Sequence, residues 1–189
     1  MRLRLFLVIL FMFCVGAVQA KVCTGVTFPD ELQVQGNNLA LNGVGLRQAT
    51  VLKVNVYVAA LYVANPSHDA AEIVDAQAPS ALMLQFVRDV GANDLRNGWR
   101  EGFAKNSGAQ LPALKDRIAT LDSWMTDVKS GQRLGFIRKP GGGIEVHVDG
   151  GVKGTIPGDD FAKAFLSIWL GADPPNPEIK SGLLGGKCD

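Results

Sequence analysis

The stretch from Thr50 to Ala64 restricts the possible folds most. It is rich in Val, Leu and Tyr and holds no proline, so it reads as one long strand or two strands meeting near Thr50. Side chains alternate across a strand. Lys53, Asn55, Tyr57, Ala59 and Leu61 therefore share one face, and Val54, Val56, Val58, Ala60 and Tyr62 the other. Both faces are largely apolar, which predicts a strand covered on both sides.

The elements around it follow from turn residues and apolar spacing. Asp30, Gly36-Asn37-Asn38 and Asn42-Gly43 mark turns between short apolar stretches. Ala70 to Asp75 suits a short helix and Ala81 to Val87 a strand. Asn93 is placed to cap a helix with Leu95, Trp99 and Phe103 on one stripe, stopped at Gly108. Leu111 to Val128 repeats that stripe through Leu114, Ile118, Leu121 and Met125. Strands are predicted over Arg133–Lys139, Ile144–Val148 and Val152–Ile156, separated by glycine-rich turns. Gly158-Asp159-Asp160 opens a helix over Phe161–Leu170, and Gly171 with Pro174, Pro175 and Pro177 ends it. Ile179 to Leu184 allows a last helical turn. Strands, helices, strands and helix in that order predict an α+β domain with a large antiparallel sheet covered by helices.

The first twenty residues have the order of a secretory leader. Arg2 and Arg4 precede the apolar run Leu5–Val18, and Val18-Gln19-Ala20 offers small residues for cleavage. The apolar run is shorter than the roughly 20 residues of a spanning helix, which disfavours a retained membrane anchor. A lipoprotein is disfavoured because neither Cys14 nor Cys23 follows a small residue. The expectation is a signal peptide over 1–20 and a mature domain over 21–189, exported to the periplasm. Losing Arg2 and Arg4 takes the formal charge from +1 to about −1. Such a balance offers no footprint for nucleic acid. Of three cysteines, Cys14 leaves with the leader, and Cys23 and Cys188 remain at opposite ends of the mature chain. In an oxidising compartment these two are expected to form a disulfide.

Catalytic patterns are sparse. His68 and His147 fall in a turn and a hairpin strand, no serine sits in a nucleophile elbow, and no cysteine pair has metal-ligand spacing. Gly43-Val44-Gly45 lacks the third glycine, following helix and lysine of a phosphate loop. No cofactor or metal is expected. The residue that stands out is Arg47, which follows Asn42-Gly43-Val44-Gly45-Leu46 and precedes the apolar strand. A guanidinium buried there needs an anion or several acceptors. Residue types alone leave two partners open: a ligand, or a structural ion pair with Asp89 or Asp94.

The segment LNGVGLRQATVLKVNVYVAALYV, from Leu41 to Val63, resembles the signature strand pair of the chalcone-isomerase fold. LQFVRDV, LRNGWREGF, GGGIEVHVDGGVKGTIPGDDFAKAFLSIWLGADPP and the LLG at Leu183–Gly185 are similar to the bacterial, exported chalcone-isomerase-like branch. The resemblance runs from about Gly25 to Gly185. It implies an open-faced β-sandwich with an apolar ligand cleft between a large antiparallel sheet and a helical layer. In the plant enzymes an arginine stabilises the anionic nucleophile and the developing enolate during ring closure, and Arg47 matches it. Where those enzymes usually carry threonine, five residues before the Tyr of the Val/Leu-Tyr pair, this chain has Tyr57. The fatty-acid-binding relatives have tyrosine there, joining the arginine in holding a carboxylate. The spacing from Arg47 to Tyr57 is shorter than in the plant proteins, so the linking hairpin differs.

The resemblance thus implies a non-catalytic binder of a small amphipathic carboxylate such as a fatty acid, with Arg47 and Tyr57 on the head group. An intramolecular lyase of the chalcone isomerase type, with Arg47 catalytic, is the first alternative. The second is a structural or interaction protein whose cleft is filled by its own side chains, such as Trp124 or Phe136.

Overall fold

The computed structural model describes residues 20–139 and 141–188, so the leader expected over 1–20 lies, apart from Ala20, outside the described residues. A two-stranded hairpin, β1 (Ala20–Cys23) and β2 (Val26–Pro29), precedes a seven-stranded sheet. The sheet is formed by β3 (Glu31–Val34), β4 (Asn37–Ala49), β5 (Val54–Val63), β6 (Ser80–Phe86), β7 (Arg133–Arg138), β8 (Ile144–Val148) and β9 (Gly151–Ile156). These strands lie in sequence order and every neighbouring pair is antiparallel. Helices α1 (Ala70–Asp75), α2 (Ala92–Asn106), α3 (Leu111–Trp124), α4 (Asp159–Leu170) and α5 (Pro177–Leu183) complete the domain, which is α+β as the sequence predicts.

β5 is covered on both sides, as its composition demands. Tyr57, Ala59, Leu61 and Val63 join the core shared with the helices, among Trp99, Phe103, Leu121, Phe165 and Trp169. Val58, Ala60 and Tyr62 face a second, smaller core with Cys23, Val26, Phe28, Val44 and Leu46. The sequence gives no warning that the β1–β2 hairpin is the cover of that second face. The Tyr62 hydroxyl fastens it by donating to the Pro29 carbonyl at 2.9 Å.

Of the two readings of the run from Thr50, two strands meeting near Thr50 holds: β4 and β5 meet at a turn over Thr50–Lys53, closed by the Lys53 N–H donating to the Thr50 carbonyl at 3.1 Å. Two local expectations are corrected. α2 starts at Ala92, with Gly91 and not Asn93 at its N-cap. α3 stops at Trp124, short of Val128, because Met125 is extended and Val128 exchanges two backbone hydrogen bonds with Val90.

Gly43-Val44-Gly45 proves to be a helix seat. A Cβ on Gly43 would lie 2.2 Å from the Gly182 carbonyl oxygen, and one on Gly45 2.4 Å from that of Ile179. Only glycine lets α5 lie this close to β4. Gly43, Gly45 and Arg47 alternate along the same face, so Arg47 emerges just beyond the N-terminal end of α5.

Candidate functional site

Two irregularities in the β4–β5 ladder shape the site. Leu41 pairs with Tyr62 but Gly43 with Leu61, leaving Asn42 as an extra residue on β4. Its side chain donates to the Leu183 carbonyl and accepts from the Ser67 N–H, both at 2.8 Å, pinning α5 and the segment after β5. Further along, Arg47 pairs with Tyr57 and Gln48 with Asn55, so Val56 is extra on β5. Such a bulge breaks strand alternation. Val56 and Tyr57, neighbours in sequence, consequently line the same cavity.

That cavity has a volume of about 490 Å³. It lies between the β4–β5–β6 end of the sheet, α2 and the Asp173–Pro175 segment before α5. Val56, Tyr57, Phe86, Leu95, Trp99 and Ile168 supply its apolar wall. Arg47, Arg88, Lys105, Asp89, Asp94, Glu101 and Asp173 supply its charges. Trp124 and Phe136 are not among its lining residues, so the cleft is not filled by either. Phe136 is instead packed in the core against Phe165, their ring centroids 4.6 Å apart.

Arg47 is half-buried, and its Nη1 donates to the carbonyls of Gln48 and of Pro175 (2.9 Å) and to Asn176 Oδ1 (3.5 Å). Asn176 also grips the strand on both sides of the arginine: its Nδ2 donates to the Leu46 carbonyl at 3.1 Å and its Oδ1 accepts from the Gln48 N–H at 3.3 Å. Neither Asp89 nor Asp94 forms the ion pair with Arg47 that residue types left open. Asp89 is taken by Lys129 at 2.9 Å and by the Ser130 N–H at 3.0 Å. Glu101 and Asp173 lie near Lys105, at 2.9 and 3.9 Å. Among the described residues Arg47 has carbonyl partners and no carboxylate. The buried ion-paired arginine is Arg138, bound to Asp159 and the Val74 carbonyl, and it was not singled out from sequence.

Tyr57 is 6% exposed, and its hydroxyl accepts the Trp169 indole N–H at 2.9 Å. Burial pushes the phenol up from 10.0 to about 12, against the smaller opposing effects of the Trp169 hydrogen bond and the Arg47 charge. Its proton has no acceptor among the described residues and is free to be donated. The site therefore sets a permanent cation and a neutral O–H donor on one wall of a partly apolar cavity. Such a pair is chemically able to hold an oxyanion.

Three further residues belong to the site and were read differently from sequence. Trp99, 4% exposed, was assigned to a packing stripe, yet it lines the cavity and its indole N–H has no partner among the described residues. From the sequence Pro175 serves only to end the preceding helix, and Asn176 carries no role at all. His68 and His147 stand apart, bonded to the Leu184 carbonyl at 2.6 Å and to Glu145 at 2.9 Å. Cys23 and Cys188 form the expected disulfide, their Cα atoms 5.9 Å apart.

The family model described as chalcone isomerase-like matches residues 20–185. No curated protein matches the sequence. Among solved structures the chain resembles a fatty-acid binding protein of Arabidopsis thaliana, with 18% identity and a TM-score of 0.69. The match covers 88% of this chain and 96% of that one. At that identity the likeness is one of fold.

Proposed function

Because this chain belongs to the chalcone isomerase-like family, we propose that it is a non-catalytic binder of a small amphipathic carboxylate, such as a fatty acid. Arg47 and Tyr57 hold the head group, and the wall of Val56, Phe86, Leu95 and Trp99 receives the apolar part. The observation that carries this reading is the lack of any carboxylate on Arg47 beside a cavity of about 490 Å³. A fixed charge oriented by carbonyls, which Glu101 feels but does not pair with among the described residues, can take up an incoming anion. Tyr57 supports it as a donor, since a phenol titrating near 12 stays protonated under physiological conditions. The fold shared with a plant fatty-acid binding protein is consistent with it. We further propose that the protein acts in the periplasm, a reading supported by the leader-like first twenty residues and by the Cys23–Cys188 bridge.

Native mass spectrometry of the purified protein tests the proposal directly, with a carboxylic acid expected to co-purify and to be lost in Arg47→Ala. Added dodecanoate should raise the melting temperature progressively with concentration. No shift across a series of chain lengths would count against the binder. The lyase reading rests on Arg47 at an aromatic-walled cavity. It predicts loss of chalcone absorbance faster than in buffer and dependent on Arg47, and a rate unchanged in Arg47→Ala removes it.

A further inference from the structure

The turn joining β4 to β5 carries two bare apolar side chains: Val51 is 98% exposed and Leu52 82%. Turn chemistry ordinarily places Asn, Asp or Gly at such a tip. Here Thr50 and Lys53 adopt φ of 63° and 51°, a conformation uncommon for side chains other than glycine, asparagine and aspartate. The turn is nevertheless braced. The Leu52 N–H donates to Thr50 Oγ1 at 3.3 Å, besides the Lys53 to Thr50 backbone bond. The local structure thus holds outward two side chains that the hydrophobic effect would draw inward. Their exposure contributes nothing to either core, so folding does not explain them.

Their position does. Ala49 and Thr50 line the carboxylate cavity, so Val51 and Leu52 stand beside its mouth. Lys53 is the one charged residue between Gln48 and Asn55, with Glu178 3.9 Å from it. We propose that the β4–β5 tip dips into the surface of a lipid bilayer, with Val51 and Leu52 in the acyl boundary and Lys53 at the headgroups, bringing the cavity mouth against the membrane. Two side chains on a narrow turn are far too small for a stable protein interface, which buries about 1,200 Å² or more. They suit a shallow, reversible insertion, in which affinity scales with the apolar area buried. Among the described residues no helix is long and apolar enough to cross a bilayer, so this contact is peripheral. It goes beyond ligand binding in solution and can fail independently of it.

The test uses the full chain with the Cys23–Cys188 bridge intact and the environment-sensitive dye NBD on Leu52→Cys. Cys14→Ser removes the other free thiol, so the dye reports the tip however residues before Lys21 behave. With mixed phosphatidylethanolamine–phosphatidylglycerol vesicles, emission is expected to rise and shift to the blue. Val51→Asp combined with Leu52→Asp should lower vesicle partitioning about tenfold or more, leaving melting temperature and dodecanoate affinity without vesicles unchanged. Emission indifferent to vesicles overturns the proposal. So does vesicle binding undiminished in the double variant, or a dye response only to lipid-free protein extract, which would assign the tip to a protein partner.

Discussion

Arg47 and Tyr57 are cross-strand partners, directly opposite each other on β4 and β5. Side chains at opposed positions of an antiparallel pair point to the same face. One backbone register therefore places the guanidinium and the phenol side by side. Arg47→Ala is expected to weaken dodecanoate binding by roughly 1.5–3 kcal/mol, the usual range for a hydrogen bond to a charged group. Tyr57→Phe should weaken it by about 0.5–1.5 kcal/mol. The two losses should not add, since both act on one head group. Titration calorimetry on the single and double variants measures the coupling, and strict additivity would contradict a shared head group.

Tyr57→Phe has a second expected effect. Trp169 loses the acceptor of its indole N–H, a buried donor left unpaired at a cost of about 1–3 kcal/mol. Urea unfolding without ligand should show this loss. A double substitution with Trp169→Phe, which removes both partners, should recover part of it.

Alkaline pH provides a sign-determined prediction. The phenols of Tyr57 and Tyr62 are each pushed up from 10.0 to about 12, in both cases mainly by burial. Each contributes stability that is fully present below pH 10. Between about 10 and 12 the unfolded phenols ionise while the folded ones stay protonated, and stability falls. The slope approaches 1.4 kcal/mol per pH unit for a fully buried phenol. Tyr62, 1% exposed and with its hydroxyl donating to the Pro29 carbonyl, should lose its stability contribution over the same window. Unfolding measured from pH 9 to 11.5 should show a steeper decline in the wild type than in Tyr57→Phe.

Gly43→Ala should damage site and fold together. Its methyl group would meet the Gly182 and Leu183 carbonyl oxygens at 2.2 and 2.6 Å, both backbone atoms. Relief requires α5 to move. Overpacking of this kind typically costs about 1–3 kcal/mol. The shift should also carry Pro175 and Asn176 away from Arg47, so dodecanoate affinity is expected to fall although Gly43 is not among the cavity lining.

Reduction of the Cys23–Cys188 bridge should lower stability by about 2–4 kcal/mol, because it closes nearly the whole described chain. Thermal melts with and without dithiothreitol, beside a Cys23→Ser/Cys188→Ser variant, report this.

Much of the fold was legible because period and composition agreed. The double-sided covering of β5 follows from its two apolar faces, and the helical stripes through Leu95, Trp99 and Phe103 and through Leu114, Ile118 and Leu121 are buried as their spacing predicts. What escaped was set by tertiary neighbours. Nothing in VTFP shows that β2 will cover the second face. Val128 leaves its helical stripe because Val90, far away in sequence, offers strand pairing. At the site, Arg47 and Tyr57 were legible through family resemblance, and their shared wall then appeared in the structure. The Pro175 and Asn176 acceptors lie more than a hundred residues from Arg47 and carry no local signature of that role.

The surplus residue at Val56 has an evolutionary implication. Removing it would restore perfect alternation and relax the local kink and extra twist at the distal end of the hairpin, while Arg47–Tyr57 and Gln48–Asn55 kept their pairing. A one-codon change at this hinge point could thus remodel the pocket entrance without disturbing either core, giving selection a cheap handle on what the cavity admits.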